Sequence, residues 1–159
     1  MPRIVVNAFL TLDGVVQAPG GPDEDPEGGF LHGGWQAPYV DDDVSRSLER
    51  VTWNNSSLVK GDVVAELRQL QQQPGRTLQS WGSTDLLQTL LKNDLIDEYR
   101  LFIFPVVLGS GKRLFGSGTV PVALKQVESV TSGKGATYHR FERSGGTGGL
   151  ARPRAACDE

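Results

Sequence analysis

From Arg100 to Val107 the chain is almost continuously apolar (Leu101-Phe102-Ile103-Phe104-Pro105-Val106-Val107), and this run constrains the fold more than any other. A strand with one wet face alternates polar and apolar side chains. This run does not alternate, so it reads as a long strand central in a sheet. Its end, at Leu108, opens into Gly109-Ser110-Gly111, which carries Lys112 and Arg113 and closes on Leu114-Phe115. A glycine loop at a buried strand end lets backbone approach a ligand, and the two cations are then placed to meet an anion. The same residues also suit a plain strand-to-strand turn with solvated charges.

The rest of the chain supplies partners for that strand. Ile4 to Leu10 is rich in β-branched and aromatic residues and predicts a buried first strand, followed by an Asp13-Gly14 turn. Residues 17–38 hold six glycines and four prolines, so they form a long loop. Phe30, Trp35 and Tyr39 favour a functional loop over a disordered linker. Asp41-Asp42-Asp43 ahead of Val44, Leu48 and Val51 looks locally like a helix start, and 57–59 like a short strand. The pattern then predicts a helix over 62–72, a strand over 77–81 and a helix over 84–93. Residues 120–130 and 136–142 read as an antiparallel pair around Ser132-Gly133-Lys134-Gly135. From Ser144 onward the glycines and scattered arginines have no periodicity, so residues 1–143 are expected to be one domain and 144–159 a disordered tail. Strand–helix alternation closed by a hairpin indicates an α/β domain with a mixed sheet.

Composition narrows the function classes. A chain of 159 residues is the size of a single domain. Its net charge of −3 gives no reason to expect nucleic acid or an anionic membrane as partner. The longest apolar run is far too short to span a bilayer, and Arg3 leads straight into a strand rather than a signal segment. Cys157 is the single cysteine and His32 and His139 are isolated, so neither a disulfide nor an ordinary zinc site is expected. The expectation is a soluble protein of a reducing compartment with no metal.

Several positions have residue types suited to chemistry. Trp81-Gly82-Ser83-Thr84 sits at a strand-to-helix junction, where free N–H groups and the helix dipole favour an anion; helix capping alone also explains the Gly-Ser pair. Ser45-Arg46 has a hydroxyl beside a guanidinium that can grip a phosphate in a bidentate way, or is an exposed helix arginine. Asp13 with the long loop and Trp35 can cover a planar ligand by stacking; Asp13 also suits a turn. The acids at 41–43 can oppose a ring nitrogen or simply cap a helix.

Taken together, these residues resemble the dihydrofolate-reductase-like family, in the branch of the C-terminal reductase domain of the bifunctional riboflavin-biosynthesis deaminase/reductase. The matching pieces are Asn7, the Thr11 to Gly20 run, Gly33-Gly34-Trp35, Trp53-Asn54-Asn55-Ser56, Gly82-Ser83 with the helix to Leu91, and Pro105 to Phe115. The resemblance covers about residues 3–142. It implies a three-layer α/β fold, NADPH as cofactor, a pyrimidine- or pteridine-like substrate, a cytoplasmic location and often a homodimer. By the same resemblance, Ser45, Arg46, Gly82, Ser83 and Thr84 would bind cofactor phosphates, with Ala8 and the candidate catalytic Asp13 near the nicotinamide. Trp35 would serve the substrate, and Lys112 and Arg113 would meet an anionic substrate group or make a structural loop contact.

One departure stands out against the family pattern. Against that pattern roughly fifty residues, more than one strand–helix unit, are absent at the Asp43/Val44 join, and no Gly-Arg-x-Thr motif occurs. The expected fold is therefore the three-layer mixed sheet with a C-terminal hairpin, missing one strand–helix unit, and Val44 to Val51 suits helix or strand. Function stands between an NADPH-dependent reductase and a degenerate relative that keeps the scaffold for nucleotide binding or dimerisation. A defective gene copy is a third reading of the gap.

Overall fold

We describe residues 1–39 and 61–144 of a computed structural model of the chain. The segment expected as helix or strand near Asp41 to Val51, the short strand at 57–59 and the tail beyond Ser144 lie outside these residues, as do Ser45 and Arg46.

Five strands and two helices make up the described frame: β1 (Ile4–Thr11), α1 (Val63–Gln72), β2 (Leu78–Trp81), α2 (Thr84–Lys92), β3 (Glu98–Phe104), β4 (Leu124–Thr131) and β5 (Thr137–Arg143). They form one mixed sheet in the order β2-β1-β3-β5-β4. β1 is parallel to both β2 and β3, while β3–β5 and β5–β4 are antiparallel. β1 lies inside the sheet, between β2 and β3, and its sequence, IVVNAFLT, is buried along almost its whole length. The one amide in it, Asn7, is satisfied by donating to the Ser80 carbonyl at 3.2 Å.

Alternation along β1 divides the core in two. Ile4, Val6, Ala8 and Leu10 face Leu87, Leu90 and Leu91 of α2, with Val64 and Leu67 of α1 packed alongside. Both described helices therefore cover one face. On the other, Phe102 and Phe104 pack with Val15, Ala18, Phe30 and Trp35 from the long loop after β1. Asp62 starts α1 by accepting from the Val64 and Ala65 amides at 2.9 and 3.3 Å, and Pro74-Gly75 follows its end.

The central apolar strand is shorter than its hydropathy predicts. β3 ends at Phe104 rather than Val107, because Pro105 has no N–H for the ladder and the Val106 amide turns back to the Phe104 carbonyl at 2.8 Å. The other predicted elements among the described residues lie close to their expected places, the hairpin strand β4 starting later, at Leu124.

Candidate functional site

In open α/β sheets, ligands bind beyond the carboxyl ends of parallel strands, where successive connections diverge. Here the chain leaves β1 into the long loop, while β2 leads through α2, across β1, to β3. A cleft of about 250 Å³ opens at that point, lined by Ala8 and Phe9 of β1, Val16 to Asp25 of the loop in part, and Gly82, Ser83, Thr84 and Leu87 after β2.

The wall after β2 is the start of α2. Ser83 precedes the helix at φ 54°, and its hydroxyl makes no cap to the first turn. The first-turn amides are thus left without a side-chain cap where the helix is most electropositive. Asp85, in the same turn, is exposed and does not line the cleft. Only three non-glycine residues among those described have positive φ, namely Ala18, Ser83 and Asp94, and two of them line the cleft. Such backbone geometry costs about 1–3 kcal/mol per residue and clusters at ligand sites.

The opposite wall is a loop held by a dense set of contacts to the glycine segment after β3. Leu12 donates its amide to Val106, Val16 to Lys112, and Leu114 to Gly14, all at 2.8–3.0 Å. Gln17, only 2% exposed, is the hub. Its amide nitrogen donates to the Asp25 and Glu27 carbonyls at 3.0 and 2.9 Å, and its oxygen accepts from the Lys112 amide at 3.0 Å. Its own carbonyl accepts the Trp35 indole N–H at 2.8 Å.

These contacts redirect several residues that the sequence offers as ligand groups. Trp35 is buried at 7% exposure, edge-on to Phe104, so its ring has no open face for stacking on a ligand. Lys112 pairs with Glu27 at 2.5 Å and Asp25 at 2.9 Å; the two carboxylates raise its pKa, and the Lys112 ammonium in turn lowers that of Asp25. Arg113 donates to the Asp13 carbonyl at 2.5 Å and sits 3.6 Å from its carboxylate. Both cations brace loops. Neither charge is simply solvated as in a plain turn, since each is tied to the loop after β1.

Asp13 is likewise a brace. Its carboxylate accepts from the Thr11 hydroxyl at 2.6 Å and from the Gly109 and Leu108 amides at 2.8 and 3.3 Å. The Thr11 bond first, and the two amides with it, hold its pKa down at about 2. A carboxylate ionised so firmly is not placed to deliver a proton at neutral pH, and it does not line the cleft. Because the folded pKa lies below the usual 3.8, the contribution to stability is full above about pH 5 and lost as pH falls through 2. The side chain keeps 16% of its surface in water, which trims that contribution to about 1–2 kcal/mol. Urea unfolding at pH 7 and pH 2 is expected to show this much less acid destabilisation in Asp13→Asn than in the parent chain.

Of the positions expected to meet a cofactor, the cleft brings together Ala8, Gly82, Ser83 and Thr84. It adds Phe9, Val16, Ala18, Pro19, Glu24, Asp25 and Leu87, which sequence reasoning did not single out as ligand contacts. The Ala18-Pro19 pair lies in the family-like Thr11 to Gly20 run, which was the available signal; Glu24 and Asp25 had none. The donor set suits a dinucleotide in part. Uncapped amides and two hydroxyls match a phosphate, and Ala8 and Ala18 leave a slot for a flat ring, but 250 Å³ is less than the ~300–1,000 Å³ of a typical ligand pocket. Among the described residues no group of three or more His, Cys, Asp or Glu could hold a metal, and no helix is long and apolar enough to cross a membrane.

A mixed sheet of this order, with its cleft at the carboxyl ends of β1 and β2, is an α/β fold, consistent with the dihydrofolate-reductase-like expectation. The RibD C-terminal domain family matches residues 38–138, and the chain belongs to that family. The uncharacterised protein YyaP of Bacillus subtilis (strain 168) is 26% identical over 178 residues, covering 86% of this chain and 94% of YyaP. That stretch is longer than the whole 159-residue chain, so YyaP carries residues with no counterpart here. Among solved structures, a putative riboflavin biosynthesis protein from Shewanella sp. PV-4 matches with a TM-score of 0.57 at 19% identity, over 89% of this chain and 98% of its own. A pyrimidine reductase-like protein from Corynebacterium diphtheriae matches at 0.57 and 11%, over 89% and 92%. RibD of Acinetobacter baumannii matches at 0.57 and 14%, over 91% of this chain and 58% of its own. At these identities the likeness establishes the fold.

Proposed function

We propose that this protein is an NADPH-dependent reductase of a pyrimidine- or pteridine-like ring, of the riboflavin-biosynthesis type. The observation that carries the reading is the uncapped start of α2 at Ser83 and Thr84, facing Ala8 and Ala18 across a cleft at the carboxyl ends of two parallel strands. Family membership and the names of the solved relatives support the same reading. Bound NADPH would supply the hydride. The chain's own residues bind and orient: Gly82, Ser83 and Thr84 hold a phosphate, and Ala8, Val16 and Ala18 flank the nicotinamide. The braces at Asp13, Gln17, Lys112 and Arg113 keep the loop wall in place and limit water in the cleft. A cytoplasmic homodimer belongs to this reading.

A second reading, nucleotide binding without turnover, is favoured by the shortened chain and by the modest volume of the cleft. Titration with NADPH, followed by its fluorescence, tests the shared part. Saturable binding is the expected result, and no saturation at millimolar NADPH overturns both readings. NADPH oxidation with a pyrimidine or pterin then separates the reductase from the scaffold.

A further inference from the structure

The two walls of the cleft are bonded to one short segment, residues 112–114. Gln88 stands one turn along α2 from Thr84, so the two side chains share a face of the helix. Its side-chain amide donates to the Leu114 carbonyl at 2.8 Å and to the Arg113 carbonyl at 3.1 Å. The same two residues are also bonded to the loop after β1. Leu114 donates its amide to the Gly14 carbonyl at 3.0 Å, Arg113 pairs with Val15, and its guanidinium donates to the Asp13 carbonyl at 2.5 Å. One residue earlier, the Lys112 carbonyl accepts from the Val16 amide at 2.8 Å, and its ammonium holds Asp25 at 2.9 Å. The Leu114 side chain, 0% exposed, shares a buried cluster with Val16 and Leu87, which line the cleft from opposite walls. The junction has no slack: a Cβ on Gly116 would meet Gln88 Oε1 at 2.9 Å.

We propose that residues 112–114 are a crosspiece that sets the spacing of the two walls, with Gln88 as the positioning residue on the α2 side, so that the walls loosen and tighten together. The inference concerns the cleft itself and is independent of which ligand enters it. Opening either wall strains bonds to the same three residues, and close-packed interiors transmit a displacement rather than absorb it. The plain alternative is that Gln88 only satisfies two carbonyls of a turn, each wall being held by its own contacts. That alternative predicts that loosening one wall leaves the other unchanged.

Amide hydrogen exchange of the full chain tests the coupling in both directions, with the amides of β5, outside both walls, as the reference. Gln88→Leu removes the two bonds to the crosspiece at nearly constant volume. It is expected to speed exchange of the Val16 amide, which is bonded to Lys112 and not to Gln88, about tenfold relative to β5. Lys112→Met removes the tie to Asp25 and Glu27 on the loop wall. It is expected to speed the Leu87 amide, bonded to the Ser83 carbonyl at the start of α2, by about threefold. Changes confined to the crosspiece and the wall that carries the substitution overturn the proposal. So do changes equal to those in β5, which report loss of the whole fold. The Lys112 side chain is partly exposed, so Lys112→Met alone decides the matter where Gln88→Leu folds poorly.

Discussion

Gly111→Ala is expected to destabilise the fold by about 2–4 kcal/mol, because two independent penalties fall on one residue. Gly111 has φ +118°, outside the range an L side chain adopts readily, and a Cβ there would meet Val15 Cγ1 at 2.7 Å and Phe30 Cε2 at 2.8 Å. Those atoms belong to the second core and cannot simply swing into water: Val15 is 0% and Phe30 8% exposed. For a chain of this length the loss corresponds to a fall in Tm of roughly 5–15 °C. Gly109→Ala is the internal control. It shares a positive φ, +75°, but nothing lies within 4 Å of its Cβ position, so about 1 kcal/mol is expected. Thermal melts of the two variants distinguish packing against the loop wall from simple backbone preference. Equal losses would mean that the glycine segment does not dock on Val15 and Phe30.

Gln17→Leu is expected to cost about 2–4 kcal/mol although it nearly conserves volume in a buried position. The change leaves the Lys112 amide without its acceptor and the Asp25 and Glu27 carbonyls without a donor. Three groups losing their partner beside a side chain that is itself 2% exposed outweigh any gain from the extra hydrocarbon. The variant also frees the stretch carrying Glu24 and Asp25, so NADPH affinity is expected to fall about tenfold as the wall loses its preset shape. Denaturant unfolding and NADPH titration of the same preparation check both outcomes. Unchanged stability would show that Gln17 is not the hub of the loop.

The frame of this protein is legible in its sequence where local physics is sufficient. The buried periodicity of Ile4 to Leu10, the Asp62 cap, the Pro74-Gly75 stop and the Trp81-Gly82-Ser83-Thr84 junction each decide their element from a few neighbouring residues. The end of β3 was missed because hydropathy continues through Val107 while the missing N–H of Pro105 stops the ladder. The roles of Lys112 and Arg113 were not legible for a different reason. Their partners Asp25, Glu27 and Asp13 lie 87, 85 and 100 positions away, and only the folded loop brings them together. Trp35 shows the same limit. An aromatic residue in a long loop suits a stacking surface or a core plug, and the face of the sheet on which the loop lands decides between them. Glu24 and Asp25 had no local signal at all in an acidic, glycine-rich stretch; only the folded loop brings them to the cleft.

The proposed cofactor position, between the start of α2 and the loop wall, can be read from NADPH-induced shifts of backbone amide resonances mapped across the labelled protein. A saturable set of shifts centred on Gly82, Ser83 and Thr84 is expected, with Ala8 and Ala18 responding along the same binding curve. Saturable binding whose shifts fall elsewhere, leaving those amides unmoved, would contradict it.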